Sequence, residues 1–256
     1  MDTRYWGPSG WRLLHLISFS KTVDPKDMRA FFWTIPYVLP CKYCRKSFSE
    51  NSMKSPIDEA ESPAKWLWQM HNKVNSKLRL QHLQHKSVSD PTFKSVEKIY
   101  EERLQSGCTR TAFEGWEFLF SIAEAHPLSR PLRTSIPIQG HPAIETIIDP
   151  LERNLWNVME PEERFVYYKQ FWKLLPLVLP FPEWTDRWQK ASSLNTAICR
   201  KECLKGLWAI RRHMEKDLEL LNRTTYDSLC KELQKHRSGC ASSMRGKTCR
   251  KKQRIS

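Results

Sequence analysis

Pro40-Cys41-Lys42-Tyr43-Cys44 decides how this chain is read, together with His71-Asn72-Lys73-Val74-Asn75-Ser76-Lys77-Leu78 further on. The first stretch is a Cys-x-x-Cys pair behind a proline, where a helix can begin. A thiol at a helix N-terminus faces unpaired backbone N–H groups and the positive end of the helix dipole. That lowers its pKa and favours the thiolate needed for disulfide exchange. In the second stretch His71 and Asn75 stand four apart, so both lie on one helix face. They make a polar edge on an apolar segment (Trp66, Leu67, Met70, Val74, Leu78), suited to gripping a planar, hydrogen-bonding ring.

Working outward, the bulk numbers narrow the class. The chain has 256 residues, 40% of them apolar, with 11 tryptophans and only 8 glycines. That is enough for one large or two small packed units, and few alternating β-branched runs point to an all-α fold. The most apolar run, Leu174 to Phe181, is too short to span a bilayer and holds two prolines. Met1 to Trp11 lacks the basic-then-apolar order of a secretory signal, so a cytosolic compartment is expected. Half of the net charge of +14 sits between Arg237 and Arg254, where seven Lys/Arg meet no acid. This basic tail reads as a solvated extension or a nucleic-acid contact.

Eight cysteines are many for a cytosolic chain and too few for a small disulfide scaffold. A structural zinc site would need a second Cys-x-x-Cys or a close His pair, and none stands out. No metal site is assigned. Cys199 and Cys203 sit one helical turn apart, a marginal geometry for a bridge. The spacing does not fix the pairing of Cys108, Cys199, Cys203, Cys230, Cys240 and Cys249.

In chain order, residues 9–22 read as a first helix capped by Ser9. Asp24-Pro25 opens a second, closed by Pro40, and the third starts at the dithiol. Residues 51–61 read as a polar loop. Ser62-Pro63 starts a fourth helix through His71 and Asn75, and Asp90-Pro91 caps a fifth that runs to about Gln105. Brief connections among five helices make a bundle.

These residues resemble the Erv/ALR family of FAD-linked sulfhydryl oxidases. The likeness rests on Trp6-Gly7, Trp-x-x-Leu-His at 11–15, Pro-Cys-x-x-Cys at 40–44 and His-Asn-x-Val-Asn-x-Lys-Leu at 71–78, in order and spacing. It implies a four- or five-helix bundle with FAD at its mouth, beside the dithiol. Cys41 would meet the substrate or a shuttle disulfide, and Cys44 would be the flavin-proximal thiolate. Gly7, Trp11, His15, Tyr43, His71, Asn72, Val74, Asn75, Lys77 and Leu78 would line the cofactor. The resemblance implies protein dithiols as substrates and oxygen as acceptor, giving hydrogen peroxide. Cys240 and Cys249 are the candidate shuttle pair. Family members without a signal occur in the mitochondrial intermembrane space and in large DNA viruses that make disulfides in the cytoplasm. The viral setting, in host cytoplasm or virion, is the better fit.

The second half carries an echo. Phe31-Phe32 ahead of Pro36–Pro40 recurs as Phe171-Trp172 ahead of Pro176–Pro180, at an offset of 140. Trp68 falls on Trp208 and Leu78 on Leu218, while Gly10-Trp11 returns as Gly115-Trp116 at an offset of 105. The two offsets differ by 35, which implies an insertion; the insertion, Pro127 to Pro150, is rich in proline and expected to run over the surface. The chemistry does not recur: Cys41 and Cys44 become Phe181 and Trp184. His71, Asn72 and Asn75 become Arg211, Arg212 and Glu215, and His15 becomes Phe120. The expected plan is an oxidase domain at 1–106, a redox-inactive bundle at 107–235 packed as a family dimer's second subunit would be, and a flexible basic tail at 236–256. A homodimer is the alternative assembly. A thioredoxin-like exchanger is disfavoured because no strands flank the dithiol. A non-enzymatic basic helical protein that binds nucleic acid and uses its cysteines structurally remains as the alternative.

Overall fold

Proline and acid placement sets where the helices begin. In the computed structural model, residues 1–80, 89–108, 110–129, 136–191 and 194–237 are described, and among them there are eleven α-helices and no strand. Helix α1 spans Thr3–Phe19 and is capped by Asp2, whose carboxylate accepts from the Arg4 amide at 3.0 Å and pairs with its guanidinium. It therefore starts before Ser9 and runs through Pro8, which costs a single backbone hydrogen bond near the helix start. It stops at Phe19, short of residue 22, because the Ser20 and Thr22 hydroxyls bond each other at 3.0 Å and compete with the helix.

Asp24 caps α2, Pro25–Val38, with Pro25 in its first turn. Cys41 then occupies the N-cap of α3, Lys42–Lys54, so residues 51–54 complete a helix instead of opening the loop. A 3-10 turn at Ile57–Glu59 buries Ile57. Helix α4, Pro63–Leu80, carries the imidazole and carboxamide stretch. Helix α5, Phe93–Gln105, is capped by Thr92 rather than Asp90, whose carboxylate is engaged elsewhere.

The second half holds α6 (Trp116–Glu124), α7 (Pro150–Trp156), α8 (Pro161–Val178), α9 (Pro182–Ala191), α10 (Arg200–Asp217) and α11 (Tyr226–His236). A Glu160–Glu163 capping box and Pro161 start α8, and Thr225 caps α11 as Thr92 caps α5. Helix α8 ends at Val178 and α9 begins at Pro182, each 140 positions beyond the corresponding point of α2 and α3. Between Pro127 and Pro150 the described chain is mostly exposed, as expected, apart from Pro127 and Ile147. Beyond it α7 docks firmly on α3.

One continuous cluster of buried side chains runs from Trp6 to Leu233 across both halves. The most extensive helix contact joins α2 to α8, and Phe31 meets Phe171 there with ring centroids 5.3 Å apart. Helices α1 and α6 approach closely at two glycines. A Cβ on Gly10 would lie 2.9 Å from the Phe118 ring, and one on Gly115 would lie 2.7 Å from Leu13. Positions 10 and 115, like 13 and 118, are 105 apart, so the contact is reciprocal.

The Phe31–Phe171 contact tests the join between halves. Phe31→Ala or Phe171→Ala alone should cost about 3–5 kcal/mol in urea unfolding. The double variant should depart from the sum of the singles, since the rings touch.

Candidate functional site

Helix α3 presents the dithiol at its N-terminus. The amides of Cys44 and Arg45 both donate to the Cys41 carbonyl, at 3.0 and 2.9 Å, which closes the first turn. Cys41 is buried, while Cys44 and Tyr43 are half-buried and pack against the core. The sulfurs thus sit where the helix dipole favours a thiolate.

Helix α4 packs on α3 and α1. Its inner residues, Trp66, Leu67 and Met70, are buried, but the continuing stripe His71, Val74, Asn75 and Leu78 is only half-buried. An apolar stripe at this spacing normally disappears into a core. Here it forms an open platform instead. Trp11 of α1 stacks on His71 with ring centroids 4.1 Å apart and planes 9° apart. Nε2 of His15 meets Nδ1 of His71 at 3.1 Å. Tyr100 of α5 and Phe19 stack behind His15, at centroid distances of 5.1 and 6.2 Å.

Both imidazoles are held neutral. Burial, then the neighbouring His71, pushes His15 down to about 3. Burial likewise lowers His71 to about 4, against a smaller opposing pull from Asp90. The two neutral rings share one hydrogen bond, and Nδ1 of His15 is buried with no partner among the described residues. An orphaned polar nitrogen in such a place suits a ligand that can complete it.

Asp90 closes the far side. It takes two bonds from Arg79, at 2.7 and 2.6 Å, and one from the Asn75 amide at 3.0 Å, and these partners hold its carboxyl below the usual range. Lys73 donates to Ser55 at 2.9 Å, and Lys77 donates to Ser47 of α3. Around Gly7 there is open space, with nothing within 4 Å of where a Cβ would stand. A planar aromatic and imidazole platform, two lysines with hydroxyl partners and an orphaned ring nitrogen fit a large planar cofactor with an anionic arm. Among the described residues, no three His, Cys, Asp or Glu side chains converge as metal ligands. No helix there is long and apolar enough to cross a membrane.

The structure brings Trp11, His15 and His71 into contact and ties Asn75 to Asp90. It gives Gly7 and Asn72 places on α1 and α4. Tyr100, Phe19, Arg79 and Asp90 complete the surroundings and were not picked out from sequence. Tyr100 follows Phe93 and Val96 at helical spacing, a signal that reads only as core. The Cys199–Cys203 bridge weighed on spacing is not formed. Cys199 caps α10, whereas Cys203 turns inward to the Tyr168 hydroxyl at 3.1 Å. The tail expected from 236 begins later, since His236 ends α11 and Arg237 caps it; Cys240, Cys249 and the rest of the basic tail lie outside the described residues.

Residues 8–95 match the model of the Erv1/Alr family. The mitochondrial FAD-linked sulfhydryl oxidase ERV1 of Saccharomyces cerevisiae is 32% identical over 85 residues, covering 30% of this chain and 45% of that protein. The probable FAD-linked sulfhydryl oxidase R368 of Acanthamoeba polyphaga mimivirus is 32% identical over 85 residues, 29% of this chain and 59% of the relative. The putative FAD-linked sulfhydryl oxidase 347L of Invertebrate iridescent virus 6 is 30% identical over 92 residues, 30% of this chain and 83% of the relative. The chain thus spans about half the length of the first two. No solved structure gives a significant match.

The neutral imidazoles make the fold acid-sensitive. Folded pKa values near 3 and 4 lie below the ordinary 6.5, so below about pH 6.5 the unfolded chain binds protons that the native one refuses. Stability should be full above pH 6.5 and fall as pH drops toward 4. His15→Phe, the residue found at the corresponding Phe120, should flatten the fall measured by urea midpoints at pH 7 and pH 5.

Proposed function

The chain belongs to the Erv1/Alr family, and from that premise we propose that it is an FAD-dependent sulfhydryl oxidase. It forms disulfides in protein thiols through Cys41 and Cys44. The observation that carries this reading is the half-buried Trp11–His71 stack, backed by the buried His15, on helices α1 and α4, of which α4 packs against the helix that starts at the dithiol.

A substrate thiolate attacks Cys41 Sγ of the oxidised pair. A substrate–Cys41 bond forms, the Cys41–Cys44 bond breaks, and Cys44 leaves as a thiolate stabilised at the start of α3. The second substrate thiol, deprotonated, then attacks its own sulfur in the mixed disulfide. The substrate leaves oxidised and Cys41 is reduced. Bound FAD supplies two-electron acceptance from the dithiol and its delivery to oxygen as hydrogen peroxide. The stacked Trp11–His71 pair would offer the ring one outer face and the edge of the other residue, with Val74 and Leu78 as its apolar floor. His15 Nδ1 and the Asn72 and Asn75 carboxamides would bond its edge. Lys73 and Lys77 would meet its phosphates, and Gly7 and Tyr43 would leave and line the entry.

The second half reads as a redox-inactive partner bundle. Arg211 supports this: its guanidinium lies over Trp116 at 5.3 Å and Phe120 at 5.9 Å, as His71 lies against Trp11 and His15. It pairs with the buried Glu215 at 2.8 Å, so a cation and its counter-ion occupy the counterpart of the ring platform. The reciprocal glycine contacts and the meeting of Phe31 with Phe171 have the form of a two-fold interface, with each residue touching its counterpart's partner. On this reading the chain is its own pseudo-dimer. We place its work in the cytoplasm of an infected cell, by analogy with the viral relatives. The basic tail is left for a nucleic-acid or shuttle role through Cys240 and Cys249.

Purified protein should be yellow, hold one FAD per chain rather than two, and take up oxygen with dithiothreitol. Cys44→Ser should reduce turnover to background while the bound flavin spectrum persists. Colourless protein that takes up no oxygen after cofactor addition would reject the oxidase. Salt-sensitive DNA binding by that same colourless protein would favour the basic, nucleic-acid-binding alternative.

A further inference from the structure

Helix α7, which follows the insertion, reaches the redox helix through two asparagines. Asn154 of α7 is buried and donates to the Pro36 carbonyl and the Ser49 hydroxyl, both at 2.9 Å. It fastens α7 across the end of α2 and the middle of α3. Asn157 then closes α7 in the left-handed conformation, φ 56° and ψ 40°, which asparagine tolerates better than most residues. Its Oδ1 accepts from Nη2 of Arg45 at 2.9 Å, and its Nδ2 donates to the Ile136 carbonyl at 2.9 Å.

Arg45 directly follows Cys44 and is itself buried. Its Nη1 donates to the Leu39 carbonyl at 3.0 Å, and its backbone amide donates to the Cys41 carbonyl at 2.9 Å. One residue therefore clasps both ends of the Leu39-Pro40-Cys41 turn, and Asn157 anchors it from outside the redox segment. Within that turn Cys41, the sulfur expected to meet substrate, is only 4% exposed, whereas Cys44 is half-buried.

We propose that Asn157 and Arg45 are positioning residues, a latch that holds the Leu39–Cys41 turn closed over Cys41 and so governs how readily a thiol reaches it. The proposal rests on the oxidase reading only in naming Cys41 as the attacked sulfur. Opening the latch frees the turn without touching the sulfur. The latch is anchored at the end of α7, so the second half sets access to the first half's chemistry.

The test is the alkylation rate of each cysteine in the reduced protein, resolved by mass spectrometry and taken at one fixed pH for every variant. Asn157→Gly keeps the left-handed backbone and removes the acceptor. Cys41 should then react about tenfold faster, the shift expected from losing a charge-assisted hydrogen bond. Cys44 and the core thiol Cys203 should keep their rates. Asn157→Asp keeps an acceptor for Arg45 and should behave as wild type. Arg45→Lys, which keeps the charge but cannot span both acceptors, should match Asn157→Gly, and the double variant should add nothing. An unchanged Cys41 rate in a folded variant would overturn the latch. So would equal acceleration of Cys44 and Cys203, which means general loosening. Should Asn157→Gly fail to fold, Arg45→Lys carries the same comparison. These rates need neither flavin nor oxygen uptake, so a failed oxidase assay and a failed latch are distinguishable.

Discussion

Close approach of α1 and α6 at Gly10 and Gly115 is the constraint on which the rest of the molecule turns. A methyl group at either position would stand under 3 Å from a buried ring or leucine. Such crowding in a dense interior cannot be relieved without moving helices. With α1 fixed against α6, its outer face is left to meet α4 and α5. That outer face carries Trp11, His15 and Phe19 to the platform. The cofactor-facing geometry of the first half is thereby referenced to the second.

The electrostatics of the platform follow from the same packing. Imidazoles brought that close and that dry stay neutral and share a single hydrogen bond, since two charged rings in such a site would be costly. Positive charge is kept to the rim instead, on Lys73 and Lys77, which bond to the Ser55 and Ser47 hydroxyls. A dry aromatic interior with a cationic edge can seat a flat ring and its charged arm together. Across the molecule, Arg211 pairs with the buried Glu215 at 2.8 Å.

Much of this could be read along the chain because its signals are local. Asp24-Pro25, Ser62-Pro63 and Pro40 before the dithiol mark helix edges by the chemistry of a few neighbouring atoms. The site residues on α1 and α4 were legible because helical spacing puts 11 with 15 and 71 with 75. What escaped depends on distant partners. Asp90 reads as a cap, yet Arg79 and Asn75 capture its carboxylate and Thr92 takes over the helix. Ser9 reads as a cap, yet Asp2 does the work earlier. Asn157 carries no signal at all, because its partner Arg45 lies 112 positions away.

Cys203 shows what the core does for a protein with this proposed chemistry. Burial, eased only slightly by the Tyr168 hydroxyl, pushes its thiol up to about 12. Peroxide attacks the ionised sulfur, not the protonated one. A catalyst that releases this oxidant and carries a free thiol of its own would otherwise inactivate itself by degrees. Here the spare group is kept protonated and walled off, so corrosion by its own product finds no purchase there.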